Sequence, residues 1–143
     1  MQKLILDIGE AAAAYQDEHL RDLPCKTIEA DEIWSFVYAK AKNVPEELKG
    51  QFGVGDVWTW TALCADTKLI ASWYVGMRRF TRLTNGFSKK LDNHMAAIAL
   101  HFMHYNFARP HQTLADPYPR TPAMAAGVSD RVWTLTEIAA RLD

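Results

Sequence analysis

The chain has 143 residues, 49% of them hydrophobic and 23% charged, with a formal net charge of −1. That length suits one domain, and that apolar content allows a packed core and excludes wholesale disorder. Two cysteines, Cys25 and Cys64, without a CxxC spacing exclude a disulfide framework and a zinc ribbon, and point to a reduced, cytoplasmic setting.

Asp7 and Glu10 interrupt the first apolar run, so a secretory leader is not expected. Residues 3–21 predict an amphipathic helix with Leu4, Ile8, Ala12 and Tyr15 at helical spacing, ended by Leu23-Pro24. Residues 27–39 predict a strand whose apolar residues fall in both alternation sets: Ile28, Trp34, Phe36 and Tyr38 on one, Ile33 and Val37 on the other. That two-sided pattern predicts an interior strand. A polar loop over 43–55 leads to a second strand over 56–65. The turn Asp66-Thr67-Lys68 then opens a third strand over 69–75.

The period changes after Gly76. Leu91, Met95, Ile98, Phe102 and Tyr105 predict a long helix from near Ser88 to before Pro110. It holds 93–108, a stretch without Asp, Glu, Lys or Arg that carries His94, His101 and His104 and is too short to span a bilayer, so no membrane contact is expected. Residues 115–122 form a proline-rich turn, and Thr134 opens a last short helix with a possible capping box to Glu137. These elements predict one α+β domain: an N-terminal helix (1–24), a three-stranded antiparallel meander (25–76), a basic stretch and long helix (77–110), and a C-terminal segment (111–143) with its short helix.

Charge is unevenly spread. Residues 1–76 hold seven basic and twelve acidic side chains, a balance of −5, and residues 77–143 hold nine and five, a balance of +4. Arg78, Arg79, Arg82, Lys89 and Lys90 make the basic cluster, which suits a polyanion contact. His94, His101, His104 and His111 invite a metal reading, but no set of three or four ligands is completed among them, so they are read as ordinary structural histidines. Trp34, Trp58, Trp60, Trp73 and Trp133 are read as core residues, four of them on strands.

Five blocks, IEADEIWSFVYAKAKNVP, GDVWTWTALCADTKLIASWYVG, RRFTRLTNGFSKK, YNFARPHQTL and TPAMAAGVSDRVW, occur in that order. Together they resemble the transposases of the bacterial insertion sequence one family, RNase H-like enzymes of the DDE class that move DNA with Mg²⁺. The resemblance implies a truncated RNase H-like domain. It makes Asp31 the first catalytic acid and a metal ligand, and places Arg78, Arg79, Arg82, Lys89, Lys90, Arg109 and His111 near DNA. Asn106, Arg109, His111 and Leu114 match an N-x-x-R-x-H-x-x-L pattern whose role is either structural or DNA-contacting.

The departures matter more. The family's N-terminal helix-turn-helix, its T-D-G-like second acid and its E-R-x-N-like third acid are missing here. SWYVG runs directly into MRRFTRLTNGFSKK, as an internal deletion near Gly76-Met77 would produce. Strand transfer uses two metal ions roughly 4 Å apart, which one carboxylate cannot position. Glu32 points away from Asp31 on a strand, and Asp56 and Asp66 read as turn residues, while Asp92 lies on the long helix with its reach undetermined. The expectation is a catalytically incomplete transposase remnant that binds Mg²⁺ weakly and DNA weakly and non-specifically. The alternative is a non-enzymatic module that binds DNA or intact transposase. Losing the fourth strand would also leave Glu29 to Tyr38 as an open edge, so self-association covering it is expected, unless the C-terminal segment from Leu114 folds over the gap.

Overall fold

A computed structural model describes residues 2–76 and 89–142 of the chain. It is a mixed α+β fold in which a three-stranded antiparallel sheet, ordered β1-β2-β3, carries two long helices. Helix α1 spans Gln2–His19, and the strands are β1 (Ile28–Val37), β2 (Gly55–Cys64) and β3 (Ile70–Gly76). Helix α2 spans Lys89–Met103 and runs into a π-helical turn, His104–Ala108, closed by the Arg109 N–H donating to the His104 carbonyl at 3.0 Å. Short helices α3 (Pro122–Ala125) and α4 (Leu135–Ala139) complete the chain. No described helix is long and apolar enough to cross a membrane.

The meander is antiparallel throughout, with Asp31 opposite Thr61 and Thr61 opposite Trp73. The hairpin between β2 and β3 closes where the Cys64 N–H donates to the Leu69 carbonyl, and Lys68 takes the left-handed conformation (φ 60°) that the tight turn requires. Asp56 and Asp66 do hold loops: Asp56 accepts from the Ala41 N–H at 2.9 Å and Asp66 from the Lys26 N–H at 3.1 Å.

Two corrections concern the sheet. Among the described residues β1 is an edge, as the missing fourth strand implied and against the interior position that its apolar pattern predicted, because β2 takes the centre. Its apolar residues alternate without cover on either side: Ile33 is 51% exposed, Trp34 39% and Phe36 46%, and only Val37 is buried. The tryptophans expected in the core divide: Trp133, outside the sheet, is buried and Trp73, half-buried, packs against the core and Phe102, while Trp58 and Trp60 are half-buried and Trp34 is exposed.

Two clusters make the core. Val37, Val57, Val75 and Leu91 join the sheet to the start of α2, with Met95 and Ile98 packed against them. The larger cluster holds Ala12, Leu20, Cys64, Leu69, Met103, Phe107, Trp133 and Ile138. Trp133 stacks near Tyr15 and Phe107, with ring centroids 5.2 and 4.9 Å apart, so the C-terminal segment closes over α1 and the π turn. Its described residues pack there and not over β1. The face of α1 is also shifted from the periodicity: Leu4 is exposed, and Gly9, Ala12, Gln16 and Leu20 are buried. Small residues win there because α1 crosses α2 closely at Gly9 and Ala96.

Candidate functional site

Asp31 sits on β1 with its side chain exposed. Its Oδ1 accepts the Glu32 N–H at 2.7 Å, a local turn-like bond that occupies one carboxylate oxygen. Alternation puts it on the face shared with Ser35, whose hydroxyl meets His94 of α2, and puts Glu32 on the other face. Asp31 is therefore on the helix-bearing side of the sheet, near its open edge.

The remaining acids do not converge on it. Asp92 lines a groove of about 420 Å³ between α1, β3 and α2, together with Glu10, Trp73, Tyr74 and Met95. The groove is lined by β3, and no residue of β1 borders it. Among the described residues no group of three or more His, Cys, Asp or Glu could hold a metal ion. Residues 77–88 add no Asp, Glu, His or Cys. Octahedral Mg²⁺ needs oxygen ligands in near-ideal geometry, and the donor set around Asp31 does not fit it. Comparisons of the chain with family models, with curated proteins and with solved structures find no match. The transposase resemblance accordingly stands on the sequence blocks alone.

The basic candidates divide. Arg78, Arg79 and Arg82 lie outside the described residues. Lys89 and Lys90 are the first two residues of α2. Arg109 is exposed and, with Tyr105, Pro110, His111 and Gln112, lines a small cleft of about 260 Å³. His111 acts locally: its Nδ1 accepts the Thr113 N–H at 3.3 Å and caps the turn Gln112–Leu114.

Asn106 is wholly buried and works as a clamp. Its Oδ1 accepts the Ile70 N–H at 3.0 Å, and its Nδ2 donates to the Ile70 carbonyl at 3.0 Å and to Gln16 Oε1 at 3.3 Å. Gln16, also fully buried, donates onward to the Ala99 carbonyl at 3.1 Å. One amide thus ties the start of β3 to α1 and α2, and the π turn swings it inward beside the buried Phe107. Of the four motif residues, Asn106 and Leu114 are buried, His111 is a cap, and Arg109 alone offers a free-standing charge to solvent.

Two contacts escaped the sequence reading. Ser35 Oγ lies 2.9 Å from His94 Nε2 and 3.2 Å from the Val57 carbonyl, and burial lowers the His94 pKa. The Cys25 thiol is hydrogen-bonded to Cys64: burial and that bond push Cys25 up to about 11. Burial would raise Cys64 too, but bonds from Cys25 and Thr67 outweigh it and lower the pKa. Neither pair has a sequence signal, since their members lie 59 and 39 positions apart.

Proposed function

We propose that this chain is a transposase-family protein of the RNase H-like kind, a catalytically incomplete remnant without strand-transfer chemistry. The observation that carries the reading is the isolation of Asp31. It occupies the first-strand position that the resemblance assigns to a catalytic acid, yet among the described residues it belongs to no group of three or more His, Cys, Asp or Glu that could hold a metal ion. The antiparallel meander followed by a long helix supports a partial RNase H-like architecture. Chemistry at phosphorus needs both the attacking and the leaving oxygen neutralised, and a single exposed aspartate supplies neither pair of sites.

The test is a cleavage and joining assay on duplex DNA with Mg²⁺ and with Mn²⁺, comparing the chain with Asp31→Ala. The expected result is no activity above background in either. Metal-dependent joining that Asp31→Ala abolishes would overturn the reading. DNA binding is expected to be weak, with Kd about 10⁻⁴–10⁻⁶ M or weaker and steeply salt-dependent, because the acidic N-terminal half repels phosphate. Nanomolar, sequence-selective affinity at physiological salt would contradict it.

A second reading has one observation in its favour, the open edge of β1, which suits a module that pairs with an intact transposase. Coexpression separates the two: a fall in transposition caused by this chain supports the module, and an unchanged rate supports an inert remnant.

A further inference from the structure

The outer edge of β1 has no paired strand among the described residues, and β1 is ten residues long. An edge of that length is a template for another strand unless charge, proline or a bulge blunts it. From Ile33 to Ala39 the chain carries no charge and no proline. The sheet face turned away from the helices continues the same apolar surface. Trp34 and Phe36 of β1 lie side by side with ring centroids 5.9 Å apart, and Trp60 meets Tyr74 across β2 and β3 at 5.8 Å. Tyr74 leans over Gly76, where a Cβ would come within 2.8 Å of its ring, so the glycine keeps that aromatic flat on the sheet.

On this face the exposures of Trp34, Phe36 and Tyr74 lie between 39% and 47%. With 150–250 Å² available to each aromatic ring, the patch leaves roughly 300 Å² of apolar side chain in water. A strand added at the edge would border the β1 part of this patch, Trp34 and Phe36, and its backbone hydrogen bonds would satisfy the open N–H and C=O groups of β1. A nucleic-acid occupant is disfavoured, because Glu29, Asp31 and Glu32 stand on the same strand and repel phosphate.

Charge order along the edge selects the occupant. The acids Glu29, Asp31 and Glu32 come at its start, and Lys40 and Lys42 follow its end, all exposed. The Lys40 ammonium lies 5.3 Å from the Trp34 ring centroid, so its charge stands above the strand itself. Parallel pairing of two such edges would stack acids on acids. Antiparallel pairing about a two-fold axis sets the acidic start of one against the lysine-bearing end of the other. We propose that two copies of this chain pair antiparallel through β1, joining their sheets edge to edge with the Trp34 and Phe36 faces continuous across the axis. The pairing rests on the strand and its charges and does not depend on the transposase reading.

The experiment is sedimentation equilibrium on four samples, with circular dichroism confirming that each is folded. They are the wild-type chain, an all-acidic edge (Lys40→Glu with Lys42→Glu), an all-basic edge (Glu29→Lys, Asp31→Lys and Glu32→Lys), and an equimolar mixture of the two variants. The expected wild-type mass at micromolar concentration is that of a dimer. Each variant alone should dissociate at least tenfold more readily, and the mixture should recover the dimer, since every acid then faces a lysine. A wild-type monomer, a mass beyond the dimer, or a mixture no tighter than its components would overturn the proposal. So would a labelled single-stranded oligonucleotide that binds and dissociates the wild-type dimer. If a variant pair fails to fold, Ile33→Lys replaces it and must lower the mass to the monomer.

Discussion

Ser35 Oγ and His94 Nε2 stand 2.9 Å apart and tie the edge strand β1 to helix α2. The Ser35 hydroxyl donates its single proton to the Val57 carbonyl, so the imidazole donates its Nε2–H to the serine. Burial lowers the pKa of His94 from its ordinary 6.5. The unfolded chain therefore takes up this proton at a higher pH than the folded chain. Above 6.5 both are neutral and stability is flat with respect to this group; as pH falls below 6.5 toward the depressed folded value, stability is lost. Urea unfolding at about pH 7.5 and about pH 5.5 measures it. The wild type should lose more stability between those conditions than His94→Gln does, and an equal loss in both would dismiss the assignment.

Asn106 predicts a larger effect with no pH signature. Replacing it by Leu keeps the volume but strips partners from the Ile70 N–H, the Ile70 carbonyl and Gln16. Each buried group left unsatisfied costs about 1–3 kcal/mol, so Asn106→Leu should lose about 3 kcal/mol or more. Arg109→Ala, three residues away and exposed, should stay within about 0.5 kcal/mol. Denaturant midpoints of the two variants check the contrast, and similar losses would mean that Arg109 has a structural role as well.

What the sequence made legible was the order of elements, because period and turn chemistry are local. The strands, the α2 start and the Thr134 cap fall within a residue or two of their expected places. The position of β1 was read two ways. Its two-sided apolar pattern is what an interior strand carries, whereas the missing fourth strand of the resemblance made it an open edge, and among the described residues it is at the edge of the sheet. For the tryptophans, β propensity places an aromatic on a strand, but whether its face is covered depends on elements far away in sequence. Asn106 could have been weighed from the sequence as a polar residue within the apolar run leading to Phe107, yet its partner Ile70 lies 36 positions away. At the site, Asp31 was legible by resemblance, and that no group of three or more metal-ligating residues forms among the described residues became visible only in the fold.

The start of α4 is a closed capping box. Thr134 Oγ1 accepts the Glu137 N–H at 3.2 Å, and Glu137 Oε2 accepts the Thr134 N–H at 2.7 Å. The backbone bond from Thr134, aided by Arg131, holds the Glu137 carboxyl down at about 2. A lowered carboxylate contributes stability above its unfolded value of 4.5 and loses it as pH falls toward about 2. Thr134→Ala should cost about 1 kcal/mol at neutral pH. Thr134→Ala keeps the backbone N–H and Arg131 and so should retain much of the acid sensitivity between those two values, whereas Glu137→Gln, which cannot ionise, should remove it. A Glu137→Gln variant whose stability falls with acid as steeply as the wild type would refute the link.

Gly9 carries the last prediction. On an open helix surface Gly→Ala gains about 1 kcal/mol, because alanine fixes the backbone at less entropic cost. Here the added Cβ would stand 2.5 Å from Ala96 Cα and 2.9 Å from the Ala96 carbonyl oxygen. Those neighbours are backbone atoms of α2 and cannot rotate aside, so the two helices must separate or shift. Overpacking of this kind costs typically about 1–3 kcal/mol, enough to cancel the propensity gain and reverse its sign. The loss should spread to the Gln16–Ala99 bond, which bridges the same helix pair. Ala14, exposed on the far side of α1, is the control: Ala14→Gly should cost about 1 kcal/mol through propensity alone. Gly9→Ala should therefore lower the thermal midpoint although it replaces the poorer helix former, and a raised midpoint would mean that α1 and α2 do not cross at this spacing.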